Sequence, residues 1–144
     1  MTAPASVEPR RILLVEDSET QALQFRLLLE DEGFEVRVAR SAEAAYASLA
    51  ELRPHLVVAD YHLPGAQGDE LCRRVRDKLD TRAIPILMLT GDETHAAEQH
   101  LLDSGADDFI HKAVDSDILL ARIYSLLHKA GDDGLLYFLE SSMQ

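Results

Sequence analysis

The stretch Leu56-Val57-Val58-Ala59-Asp60-Tyr61-His62-Leu63-Pro64-Gly65 runs apolar for four positions, stops at a carboxylate and enters a turn. Four apolar residues bounded by polar ones suit a strand covered on both faces, as in the centre of a parallel sheet. Such a strand needs neighbours on both edges and helices on both faces, which narrows the chain to a layered α/β architecture. Asp60 then stands at the strand's carboxyl end, and in open α/β sheets ligands bind in the crevice beyond those ends. A lone aspartate there is more often a strand terminator or a helix cap, so the other strand ends decide its meaning.

They repeat the pattern. Arg11-Ile12-Leu13-Leu14-Val15 stops at Glu16-Asp17, Ile86-Leu87-Met88-Leu89 stops at Thr90-Gly91-Asp92, and Asp107-Asp108-Phe109-Ile110-His111 stops at Lys112. Phe34–Ala39 alternates with period two, as expected nearer a sheet edge. Between these runs lie helical patterns. Ser18 caps a helix carrying Ala22, Phe25, Leu28 and Leu29 up to Gly33, and Ser41 caps another that ends before Pro54. Leu71, Val75 and Leu79 mark a third after Gly68, with Arg73, Arg74, Arg76, Asp77 and Lys78 as a solvated face; a weaker fourth spans 94–104. Leu119, Leu120, Ile123, Leu126 and Leu127 form the last, before Gly131. Five strands alternating with five helices predict a parallel sheet with right-handed crossovers, so every carboxyl end lies on one edge.

That edge gathers Glu16, Asp17, Asp60, Thr90 and Lys112. Clustered acids stay ionised only with compensating charge, and hard oxygen ligands suit a divalent ion such as Mg2+. A phosphoryl group at Asp60 would find the metal, the Lys112 ammonium and the Thr90 hydroxyl placed to hold its oxygens, with Gly91 leaving room. Composition agrees: 144 residues, 47% of them hydrophobic, suit one compact domain, and a net charge of -12 disfavours nucleic acid and anionic membrane surfaces. The single cysteine, Cys72, forms no internal disulfide, and no membrane-length apolar run occurs, so a soluble cytoplasmic protein is expected.

With these residues in place, the chain resembles the receiver domain of two-component response regulators over roughly residues 11–129. The resemblance implies a flavodoxin-like sheet of order 2-1-3-4-5. It implies Asp60 as phosphoacceptor, with Asp17 and the main-chain carbonyl of His62 as direct metal ligands and Glu16 reaching the ion largely through water. Thr90 and Lys112 would bind the phosphoryl oxygens, and Phe109 matches the switch aromatic that rotates inward with the threonine. His62 and Asp92 fall where the family tunes the lifetime of the acyl phosphate. Its partners would be a histidine kinase or histidine phosphotransfer protein and a downstream protein. The family usually has proline after the lysine, in a cis peptide; here the residue is Ala113, and the cost of a cis bond to alanine, about 2.5–4 kcal/mol, predicts a trans bond.

Two other functions compete with phosphorelay signalling. A Mg2+-dependent aspartyl phosphatase would share the acid cluster but usually carries a second aspartate two residues after the nucleophile, where this chain has His62. A pseudo-receiver scaffold would need no phosphorylation, and the complete acid, threonine and lysine set counts against it. The chain is therefore expected to catalyse nothing beyond its own phosphorylation and dephosphorylation. It divides into a lead-in (1–10), the receiver (11–130) and a tail (131–144). In the tail, Leu135, Leu136, Phe138 and Leu139 are expected to be buried, either on their own domain or across a homodimer.

Overall fold

The computed structural model describes residues 8–91 and 95–143, with 95 and 131–143 described by backbone alone. Five strands, β1 (Arg11–Val15), β2 (Glu35–Ala39), β3 (Leu56–Asp60), β6 (Ile86–Thr90) and β7 (Asp108–His111), form one sheet. Its order is β2-β1-β3-β6-β7 and every pairing is parallel. Counting these strands alone, that is the expected flavodoxin-like 2-1-3-4-5. A short antiparallel hairpin, β4 (His62–Leu63) with β5 (Ala66–Gln67), follows β3. The helices are α1 (Glu19–Asp31), α2 (Ala42–Leu52), α3 (Gly68–Asp77), α4 (His95–Asp103) and α5 (Ser116–Met143).

The period-two geometry of the strands sorts the core into two layers. Leu13, Val15, Val57, Ala59, Ile86 and Met88 face α2, α3 and α4, meeting Ala45, Leu49, Leu71, Val75 and Leu101. Ile12, Leu14, Leu56, Val58, Leu87 and Leu89 face α1 and α5, meeting Leu29, Leu119, Ile123 and Leu127. The central strands are buried on both faces, which is why they read as continuous apolar runs. No helix among the described residues is long and apolar enough to cross a membrane.

The ends of the third and last helices depart from the sequence reading. The last helix does not end before Gly131 but continues to Met143; Gly131 and Gly134 each cost only about 1 kcal/mol relative to alanine, and good helix formers lie on both sides of the 131–134 stretch, from Leu126 to Ala130 and from Leu135 onward. The expected burial of Leu135, Leu136, Phe138 and Leu139 concerns side chains outside the described residues, as does Asp92. Leu79 belongs to no helical stripe: α3 ends at Asp77, Lys78 turns extended, and Leu79 is 81% exposed.

Arg76 is not simply solvated. Its Nε donates to Gly105 O at 3.0 Å, its Nη1 to Arg82 O at 2.9 Å and Ile84 O at 2.6 Å, and its Nη2 to Asp107 Oδ2 at 2.6 Å. Asp107 Oδ2 also accepts the Ile86 amide at 2.7 Å, so one side chain ties α3 to the segments entering β6 and β7. Arg76→Ala is expected to cost about 2–3 kcal/mol in urea unfolding, because it strands carbonyls in a part-buried site. A loss below about 0.5 kcal/mol, the ordinary surface value, would contradict this role.

Candidate functional site

The parallel register brings the carboxyl ends of β1, β3, β6 and β7 to one edge, with Val15 beside Ala59, Asp60 beside Leu89 and Thr90 beside His111. Asp60, the last residue of β3, is 5% exposed. Its Oδ1 accepts the His62 amide at 3.1 Å and its Oδ2 accepts Lys112 Nζ at 2.9 Å. Tyr61 extends the ladder by donating to Leu89 O, while Tyr61 O accepts from Gly68 at the start of α3. A Cβ at Gly68 would lie 2.8 Å from Met88 Sδ and 3.1 Å from Tyr61 Cα. Only glycine lets α3 start this close to the turn that carries Asp60.

Glu16 follows β1 and is fully buried, its amide donating to Ala39 O at 2.9 Å. Its Oε2 accepts the Ser18 amide at 3.1 Å, and its Oε1 lies 3.0 Å from Lys112 Nζ. Ser18 caps α1 by accepting the Gln21 amide, so the loop 16–18 is fixed between strand and helix. Asp17 is exposed in this loop. Its main-chain oxygen accepts two bonds from Arg40, Nε at 3.1 Å and Nη2 at 2.7 Å.

Lys112 is held by its own amide, which donates to Thr90 O at 2.8 Å. Thr90 is 1% exposed, and among the described residues its hydroxyl reaches only Ile110 O at a weak 3.5 Å, a contact it can exchange for a better partner. No cis peptide occurs among the described residues, so the Lys112–Ala113 bond is trans, as expected. Phe109 is half-buried against the core layer of α2, α3 and α4.

The charges in the pocket are strongly coupled. Burial pushes the Glu16 carboxyl above its ordinary value; the nearby Asp60 charge adds to this, while Lys112 and the Ser18 amide oppose it. Burial is the largest influence on Lys112 and would lower its value. Close contact with Asp60 and Glu16, and the charge of both, together outweigh it and hold the ammonium above the usual range. Oxygens of Glu16, Asp17 and Asp60 lie within 4.8 Å of one another. Glu16 Oε1 is buried without a hydrogen bond, its ion-pair contact with Lys112 notwithstanding. Three carboxylates with an open lone pair and one flanking ammonium fit a hard divalent cation, which prefers oxygen donors.

The structure thus brings Glu16, Asp17, Asp60, Thr90 and Lys112 to one sheet edge, with Phe109 on the adjoining strand β7 and the His62 side chain exposed. Arg40 was not foreseen, because its partner is a main-chain carbonyl that every residue type possesses. Among the other histidines, His55 Nδ1 accepts the Arg11 amide, His111 Nδ1 accepts the Ala113 amide, and His100 meets Asp69 and Arg73 between α3 and α4; among the described residues no histidine joins the acid cluster.

Residues 12–124 match the family model described as response regulator receiver domain. The chain is 38% identical over 120 residues to the phosphate regulon transcriptional regulatory protein PhoB of Rhizobium meliloti, covering 83% of this chain and 53% of that protein. It spans about half the length of such relatives. Its fold matches a CheY-like response regulator receiver domain protein from Methanospirillum hungatei with a TM-score of 0.82 and 28% identity, covering 88% of this chain and 99% of that one. The signal receiver domain of a signal transduction histidine kinase from Syntrophus aciditrophicus gives a TM-score of 0.78 and 34% identity over 83% of this chain and 91% of that one. The match reaches into all five strands of the sheet and includes every strand end that carries the acids, the threonine and the lysine: the chain belongs to the receiver domain family of two-component response regulators.

Proposed function

We propose that Asp60 accepts a phosphoryl group from a phosphohistidine on a histidine kinase or phosphotransfer protein, and that this alters the surface offered to a downstream protein. The observation that carries the reading is the placement of Asp60 Oδ2 2.9 Å from a lysine ammonium that also lies 3.0 Å from buried Glu16. Attack by an Asp60 oxygen forms the O–P bond as the N–P bond of the donor breaks, and the departing imidazole takes a proton. Lys112 Nζ then pairs with a phosphoryl oxygen, and the Thr90 hydroxyl exchanges its weak contact with Ile110 O for a bond to another. Movement of Thr90 toward the phosphoryl group vacates space that Phe109 can fill, linking the site to the surface of β7.

Asp17 and Asp60, with the main-chain carbonyl of His62, would hold Mg2+, and Glu16 would reach it through water. When bound, the ion neutralises acids that would otherwise repel an anionic donor. A phosphatase reading is disfavoured by His62, which stands where such enzymes carry their second aspartate.

Incubation with acetyl phosphate, with and without Mg2+, followed by intact mass measurement tests the reading. One phosphoryl group per chain, stable in acid and labile in base, is expected only with Mg2+. No adduct under either condition would instead favour the scaffold, and steady hydrolysis of phosphomonoesters would favour the phosphatase.

A further inference from the structure

We propose that Arg40 is a positioning residue for Asp17, setting how firmly the acidic site holds a divalent cation; this rests on the phosphoryl-transfer reading above. Arg40 is the first residue beyond β2, whose final residue, Ala39, accepts the Glu16 amide at 2.9 Å. From there its guanidinium places two N–H groups on one oxygen, Asp17 O, at 3.1 and 2.7 Å. Two donors from a rigid planar fork fix the direction of that carbonyl as a single flexible ammonium would not. The same peptide is held at its other end, where Glu16 Oε2 accepts the Ser18 amide, and Ser18 Oγ accepts from Gln21.

The Asp17 carboxylate is exposed and takes no hydrogen bond among the described residues, yet it offers an oxygen to the acid cluster. A ligand without a side-chain partner owes its aim to its main chain. Arg40 holds that main chain, acting on the ligand from outside its coordination sphere, where loss of such support typically costs roughly 10–100-fold in metal affinity. Its guanidinium touches neither the acceptor oxygens nor the lysine.

Charge and positioning predict opposite signs. Were Arg40 acting only as a nearby cation, its removal would relieve repulsion and tighten Mg2+ binding; as a positioning residue, its removal weakens binding. Calorimetric titration of the full chain with MgCl2 is expected to give roughly tenfold weaker binding for Arg40→Ala, with Arg40→Lys in between. In an Asp17→Ala background Arg40→Ala should add no further loss, because the two act through one ligand. Without metal, the Ser18 amide should exchange with deuterium faster in Arg40→Ala than in the parent. Unchanged or tighter binding by Arg40→Ala, or an undiminished loss in the Asp17→Ala background, overturns the proposal. Failure of Arg40→Ala to fold, with Arg40→Lys binding Mg2+ as the parent does, also overturns it. A parent chain that binds no Mg2+ would instead remove the phosphoryl-transfer reading on which it rests.

Discussion

Asp60→Asn is expected to abolish the phosphoryl adduct, lowering its formation rate at least about a thousandfold, since a neutral amide is no nucleophile toward phosphorus and nothing else in the pocket replaces it. Glu16 is buried and already engaged by Ser18 and Lys112, and the exposed Asp17 carboxylate beside Asp60 is the proposed ligand of the metal rather than of the phosphoryl group. The substitution keeps the shape of the side chain. Its oxygen can still accept the His62 amide, and Lys112 retains Glu16, so the fold should survive with a stability change within about 1 kcal/mol. Intact mass after exposure to acetyl phosphate and Mg2+ measures the effect. A full-strength adduct on Asp60→Asn would assign the acceptor elsewhere.

The second large effect separates the two neighbouring acids. Asp17→Ala should weaken Mg2+ binding at least about thirtyfold, because it removes a proposed direct ligand, while leaving metal-free stability unchanged or slightly higher. Glu16→Ala should weaken Mg2+ binding less, since its contact is expected through water, but it should cost stability: it removes the acceptor of the Ser18 amide and a partner of Lys112. Calorimetry for affinity and thermal melts for stability distinguish them, and equal losses of affinity would contradict the assignment. The raised value of Glu16 adds a pH signature. In the window above its ordinary 4.5 the folded chain binds more protons than the unfolded one, so this group's contribution is complete below 4.5 and is lost as pH climbs through the folded value. Stabilisation by Mg2+ should therefore grow as pH rises through that window.

The strands were legible because a parallel strand buried on both faces must be apolar without interruption, and each run stops at the residue that leaves the core. Glu16, Asp60, Thr90 and Lys112 could be placed on one edge for that reason alone. What stayed hidden depended on contacts that carry no sequence pattern. Arg40 and Arg76 both donate to main-chain carbonyls outside their own elements; Arg76 read as part of a solvated face and Arg40 carried no signal until the fold supplied their acceptors. Leu79 fitted the helical period yet lies beyond the helix, since periodicity does not mark where the backbone turns extended. Gly131 resembled a stop signal, but a glycine ends a helix only when the chain beyond it has something better to do than continue. The two-residue strands of the β4–β5 hairpin are too short for any periodic signal.

Borohydride reduction converts an aspartyl phosphate to homoserine, which peptide mass mapping locates to a single residue. Applied to the full chain after treatment with acetyl phosphate, in Mg2+ and in a chelator, it tests whether the pocket of Glu16, Asp17, Asp60 and Lys112 is a phosphoryl-accepting site. Conversion is expected at Asp60 alone, in the Mg2+ sample alone. Conversion at another acid, or equal conversion at Asp60 with the metal removed, would contradict it.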